Sequence, residues 1–125
     1  MRTRRESVRR LAGLLLTLAI ALGAAPAGAH AIVTGSSLER QPVRAHVATT
    51  VLLSFNSGIE VGLSRVDLVR KGDRQQPLPI GAGKRPGELR VSLPPLDPGD
   101  YALKFRIFAA DGHFTEDVLR FRVAE

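Results

Sequence analysis

The chain is predicted to fold as an all-β domain, a two-sheet antiparallel β-sandwich with Greek-key connections. Three observations lead there. After position 30 the apolar residues alternate with period two, and no stretch keeps a helical period. Gly- and Pro-rich breaks separate the alternating runs. The span that holds them is long enough for one small core and no more.

The first 29 residues stand apart from this pattern and have the three parts of a secretory signal in order. Arg2, Arg4, Arg5, Arg9 and Arg10 form the positive leading region, and Ala27-Gly28-Ala29 supplies the small residues of a peptidase site. The apolar run between them, residues 11–22, falls short of the ~20 residues that a membrane-spanning helix needs. Cleavage after Ala29 leaves residues 30–125, a single exported domain of 96 residues that begins with His30. Ala25-Pro26-Ala27 and Ala29-His30-Ala31 also fit the small-x-small pattern, and a cut after Ala31 would discard the histidine. The arginine pairs leave both the general and the twin-arginine export routes open.

Within the domain a short first strand is expected at 31–33. His46 opens the next strand, which runs over 47–55 and places Val51, Leu53 and Phe55 on one face. Val66 and Leu68 share a face in the run that follows, an irregular strand lies near 78–80, and Leu89, Val91 and Leu93 mark another. Pro94-Pro95-Leu96-Asp97-Pro98-Gly99 then breaks the chain. Tyr101, Leu103, Phe105 and Ile107 alternate with Ala102, Lys104 and Arg106, the clearest half-buried strand in the sequence. Asp111-Gly112 turns it, and the last strand points Leu119, Phe121 and Val123 inward and Arg120 and Arg122 outward. The total is about seven strands. Phe105, Phe108 and Phe121 belong to the core or its rim.

Composition limits what such a domain can bind. The whole chain carries a formal +6, but residues 30–125 hold 13 Lys and Arg against 11 Asp and Glu, a net +2. The electrostatic case for a nucleic-acid or acidic-membrane partner disappears with the leader. There is no cysteine, and Met1 is the only methionine, so the exported domain has no disulfide and no sulfur ligand of the kind that selects Cu(I). Any metal it takes must be held by nitrogen and oxygen. No nucleophile, base and orienting group stand together in a motif, so hydrolytic catalysis has no support.

Nitrogen and oxygen donors of the right kind are few. As the first residue of the mature chain, His30 would offer its α-amine and its Nδ1 to one ion, a six-membered chelate that no internal histidine can form. Asp111 and His113 lie two residues apart across Gly112, so carboxylate and imidazole can face one ion. If the sheets bring the amino terminus beside this turn, the set comprises three nitrogens and one oxygen. Tetragonal N/O coordination suits Cu(II), with tetrahedral zinc as the alternative. Asp-Gly alone is a common hairpin turn. His46 is read as a surface histidine outside the donor set.

The chain resembles the periplasmic copper-resistance protein C (CopC) family over essentially all of residues 30–125. The markers are His30-Ala31, Leu53-Ser54-Phe55 followed by Gly58-Ile59-Glu60, the turn Leu96-Asp97-Pro98-Gly99-Asp100-Tyr101, and Ala110-Asp111-Gly112-His113 ahead of Phe121-Arg122-Val123. The resemblance implies an immunoglobulin-like β-sandwich in the periplasm that binds Cu(II) through His30, Asp111 and His113. It also implies a role in copper resistance, homeostasis or delivery, with an inner-membrane copper permease as a plausible partner. Some relatives carry a second, methionine-rich Cu(I) site, for which this chain lacks the residues. It departs from the family's Ser-Pro-x-x-Gly after the first strand, reading Gly35-Ser36-Ser37-Leu38-Glu39-Arg40. It also has Phe55-Asn56-Ser57 where relatives often show Phe-Ser-Glu, which leaves Glu60 or Glu116 as candidate acidic partners of the terminal amine.

The leading expectation is therefore a monomeric Cu(II) carrier or buffer that is not an enzyme and does not insert into the membrane once its leader is removed. Copper would displace protons from amine and imidazole, whose ordinary pKa values are about 7.7 and 6.5, so binding should weaken as pH falls through that range. One rival is a copper enzyme that cleaves polysaccharides oxidatively with a histidine brace; a mature chain with one Tyr and no Trp offers it no flat aromatic platform. The other rival is a metal-free sandwich acting as a binding module, which fold alone does not exclude.

Overall fold

A computed structural model describes residues 31–125; the leader and His30 lie outside the described residues. Eight strands follow one another: β1 (Val33–Ser36), β2 (Thr49–Phe55), β3 (Arg65–Arg70), β4 (Arg74–Pro77), β5 (Ile80–Ala82), β6 (Glu88–Leu93), β7 (Gly99–Phe108) and β8 (Phe114–Val123). They form two antiparallel sheets of four, in the orders β1-β2-β6-β5 and β4-β3-β7-β8. The chain crosses between the sheets after β2, β4 and β6. No helix among the described residues is long and apolar enough to cross a membrane.

The alternating runs bury the faces that period two assigns to them. Val51, Leu53, Val66, Leu68, Leu89, Val91, Leu93, Leu103, Phe105, Ile107 and Val123 are all buried between the sheets. Each such side chain contributes about 1.5–3 kcal/mol on leaving water, and that burial carries the fold in a domain without disulfides. Phe55 of one sheet meets Phe105 of the other edge to face, with ring centroids 5.9 Å apart. Tyr101 and Phe121 stack at the rim, and the Tyr101 hydroxyl donates to the Asp97 carbonyl at 2.8 Å, tying the Pro-rich turn to β7.

Four details differ from the sequence expectation, each for a local reason. The irregular strand near 78–80 is two strands. Arg74-Gln75-Gln76-Pro77 has no apolar alternation because all four residues are exposed on the edge of one sheet. Buried Leu78 then crosses to the other sheet, its N–H held by the Val66 carbonyl at 2.9 Å. The second strand starts at Thr49 rather than 47, because His46 takes a left-handed conformation (φ 62°) with its N–H on the Leu96 carbonyl. The first strand starts at Val33, beyond a buried Ala31, and is irregular between Val33 and Gly35. Ser37–Glu39 form a 3₁₀ turn capped by the Ser36 hydroxyl, and the Ser37 hydroxyl accepts the Leu52 N–H across to β2.

A buried carboxylate on the outer face of the second sheet is also accounted for. Asp67, 6% exposed, receives both Nε and Nη2 of Arg65 at 2.8 and 2.9 Å, a two-pronged pair that answers its desolvation. The hydrogen bond to Asp67, and then its charge, hold the Arg65 guanidinium above its ordinary pKa.

Candidate metal centre

The turn between β7 and β8 brings Asp111 and His113 together. The Gly112 N–H donates to the Ala109 carbonyl at 3.0 Å and the Ala109 N–H to the His113 carbonyl at 2.9 Å, closing the turn. Gly112 has φ +86°, a left-handed conformation that a side chain at this position would disfavour. The Asp111 carboxylate then does two things. Its Oδ1 accepts the His113 N–H at 3.0 Å, and its Oδ2 stands 3.3 Å from the His113 Nδ1. Carboxylate and imidazole face each other across this closed turn, with Gly112 at the bend as its position between them suggested.

At 3.3 Å the two donor atoms stand at ion-pair distance, a little wider than the roughly 3 Å that two donors at a right angle on one ion would span. The pair is reachable from solvent, since the His113 side chain is 67% exposed and that of Asp111 27%. It is also rigidly based. The Phe114 ring packs against Phe108 with centroids 4.8 Å apart and carries the Arg106 guanidinium 3.9 Å from its own centroid. Arg106 in turn pairs with Glu116 at 3.4 Å, which gives one of the two candidate acidic partners a different neighbour.

The start of the described chain lies at the same end of the sandwich. Val33 pairs with Phe55, the last residue of β2, and Asn56 continues that contact by exchanging two hydrogen bonds with Ile32. The connection leaving β2 then crosses to the Asp111–His113 turn: the Gly58 carbonyl accepts the Ala110 N–H at 2.9 Å, Ile59 bridges Ala109, and the Glu60 N–H donates to the Phe108 carbonyl. Gly87 lies under this connection. A side chain there would sit 2.7 Å from the Ser57 carbonyl oxygen and would have to adopt φ +78°.

Among the described residues, no group of three His, Asp or Glu side chains could hold a metal ion; Asp111 and His113 are two, and His30 is outside the described residues. His46 stands elsewhere, at the other end of β7, where its Nδ1 is 3.5 Å from Asp97 and its side chain is mostly exposed. It is a surface residue, as expected. Sequence reasoning met Asn56 only as part of a departure from the family pattern and did not single out Ser64. The Ser64 hydroxyl donates to the Glu60 carbonyl and accepts the Phe108 N–H, fixing the end of β7 just before the turn. A lone Ser or Asn in a loop gives no pattern from which such a contact could be read.

Comparison with known proteins places these features in a context. The model of the CopC domain matches residues 33–124. Among solved structures, the chain is similar to CopC from Methylosinus trichosporium OB3b, with 28% identity and a TM-score of 0.61 over 75% of this chain and 93% of that one. It shares its fold with PcoC, described as a copper resistance protein from Escherichia coli, in two structures. The selenomethionine form is 22% identical with a TM-score of 0.57, covering 74% of this chain and 99% of that one. A second structure, in which PcoC is described as methionine-rich, is 23% identical with a TM-score of 0.56, covering 77% and 100%. No match to this chain is found among curated proteins.

Proposed function

The chain belongs to the CopC domain family, an immunoglobulin-like β-sandwich family of copper-resistance proteins rather than enzymes, and from that premise we propose that it binds Cu(II) in the periplasm through His30, Asp111 and His113. It serves there as a carrier or buffer that contributes to copper tolerance or hands copper to an inner-membrane permease, and it works as a monomer. The observation that carries this reading is the Asp111–His113 pair, with 3.3 Å between donor atoms, at the end of the sandwich where Ile32 is tied down. Cleavage after Ala29 would leave His30 two residues ahead of that tether and free its amine.

The choice of ion follows from the donors. Amine and imidazole nitrogens with one carboxylate oxygen favour Cu(II), which stands at the peak of the divalent affinity order. The sulfur donors that would favour Cu(I) are missing, since no cysteine is present and no methionine follows Met1. In this respect the chain differs from its methionine-rich structural relative. Because the ligands must lose protons to bind, copper uptake releases protons and weakens as pH falls.

Titration of the protein beginning at His30 with Cu(II) tests the reading. One equivalent is expected to bind, and His113→Ala is expected to lower the affinity beyond the ~10–100-fold that loss of a ligand-orienting contact alone costs. The histidine is exposed, so the variant should unfold like the wild type. Failure of the wild type to bind one equivalent, or equal binding by the variant, would refute the site.

A further inference from the structure

We propose that Asn56 is the positioning residue of this copper site: its side-chain carbonyl holds the amino-terminal segment at Ile32, at the end of the sandwich that carries the Asp111–His113 turn. The inference rests on the copper reading above and adds a residue to it. Ile32 is 60% exposed, so burial of its own side chain does not fix its place. Between buried Ala31 and the strand that starts at Val33, Ile32 is held by a reciprocal pair of hydrogen bonds. The Ile32 N–H donates to Asn56 Oδ1 at 2.8 Å, and the Asn56 N–H donates to the Ile32 carbonyl at 3.1 Å.

The side chain is required by the register. β1 pairs with β2 only from Val33 onward, against Phe55, and the Ile32 N–H is met by the Asn56 amide oxygen, which takes the place of a ladder carbonyl. Asn56 is itself held on both sides. Phe55 before it donates its N–H to the Gly87 carbonyl at 2.8 Å, and Gly58 after it accepts the Ala110 N–H at 2.9 Å. A short, hydrogen-bonded route therefore runs from Ile32 through Asn56, Ser57 and Gly58 to Ala110, the residue before Asp111. A chain end held this way has lost part of its freedom before the ion arrives, so less entropy is lost on chelation.

An acceptor is what the position supplies, and two variants separate acceptor from volume. Asn56→Asp keeps an oxygen for the Ile32 N–H, whereas Asn56→Leu has a similar size and none. The expected result is that N56L lowers Cu(II) affinity by ~10–100-fold, the usual cost of losing a ligand-orienting contact, and that N56D keeps the wild-type affinity. The electron paramagnetic resonance spectrum of the Cu(II) protein should report fewer coordinated nitrogens in N56L and the wild-type pattern in N56D. In metal-free protein the Ile32 amide should exchange slowly in the wild type and N56D and fast in N56L. A purely structural role would shift unfolding without changing the nitrogen pattern. Wild-type affinity and spectrum in N56L, or an N56D as impaired as N56L, would overturn the positioning role while leaving the copper site standing. A wild type that binds no Cu(II) would overturn both.

Discussion

Protein starting at His30 and carrying His30→Ala is expected to lose at least about a hundredfold in Cu(II) affinity, more than removal of a contact that merely orients a ligand. The reason is the position of the residue rather than its type. A first-residue histidine gives the ion an amine and an imidazole joined in one ring. The alanine variant keeps an amine but loses the ring partner that holds it on the metal, and Asp111 and His113 are left to bind an ion with one nitrogen and one oxygen of their own. Competition against a coloured chelator at fixed pH measures the difference directly. Unfolding should be unchanged, because β1 begins only at Val33 and the anchored residues are Ala31 and Ile32. An affinity within threefold or so of the wild type would show that the chelate does not exist.

Leu103→Ala is expected to have the largest effect on stability, a loss of about 2–5 kcal/mol. Leu103 is fully buried in the middle of β7, opposite Leu68 of β3 on one side and Leu119 of β8 on the other. The neighbours are strands locked into two ladders, so the cavity cannot close by a small shift. Total stability for a domain of this kind is about 5–15 kcal/mol, and no disulfide limits the unfolded chain. In urea the midpoint should fall with an unchanged slope. β7 ends at the turn that bears Asp111 and His113, so the proposed copper site and the core share one strand. Saturating Cu(II) at about 100 times its dissociation constant should therefore restore about 2.7 kcal/mol, by mass action on the folded state. A stability loss below 1 kcal/mol would mean that the core repacks around the missing methyl groups.

The sandwich was legible in the sequence wherever burial is one-sided. Val51, Leu53, Phe55, Leu103, Phe105 and Ile107 alternate because one face of each strand meets the opposite sheet and the other meets water. β4 was hidden for the converse reason: Arg74–Pro77 is held by ladder bonds on a sheet edge and buries no side chain, so no apolar signal exists. The late start of β2 was hidden too, because the left-handed turn at His46 depends on a carbonyl from Leu96, fifty residues away. For the site, the sequence supplied Asp111 and His113 by type and spacing. The turn at Asp111-Gly112 was legible as well, whereas the Asn56–Ile32 contact joins residues 24 apart, which no spacing reveals. His30 belongs to a different kind of inference, since the role proposed for it depends first on signal cleavage after Ala29.

Native mass spectrometry of the protein recovered from the periplasm, with and without added Cu(II), joins processing to metal binding in one spectrum. The expected masses are those of the chain from His30 to Glu125 and of that chain plus a single copper. A mature protein that begins at Gly28 or Ile32, or one that begins at His30 and takes up no copper, would contradict a copper site created by signal cleavage.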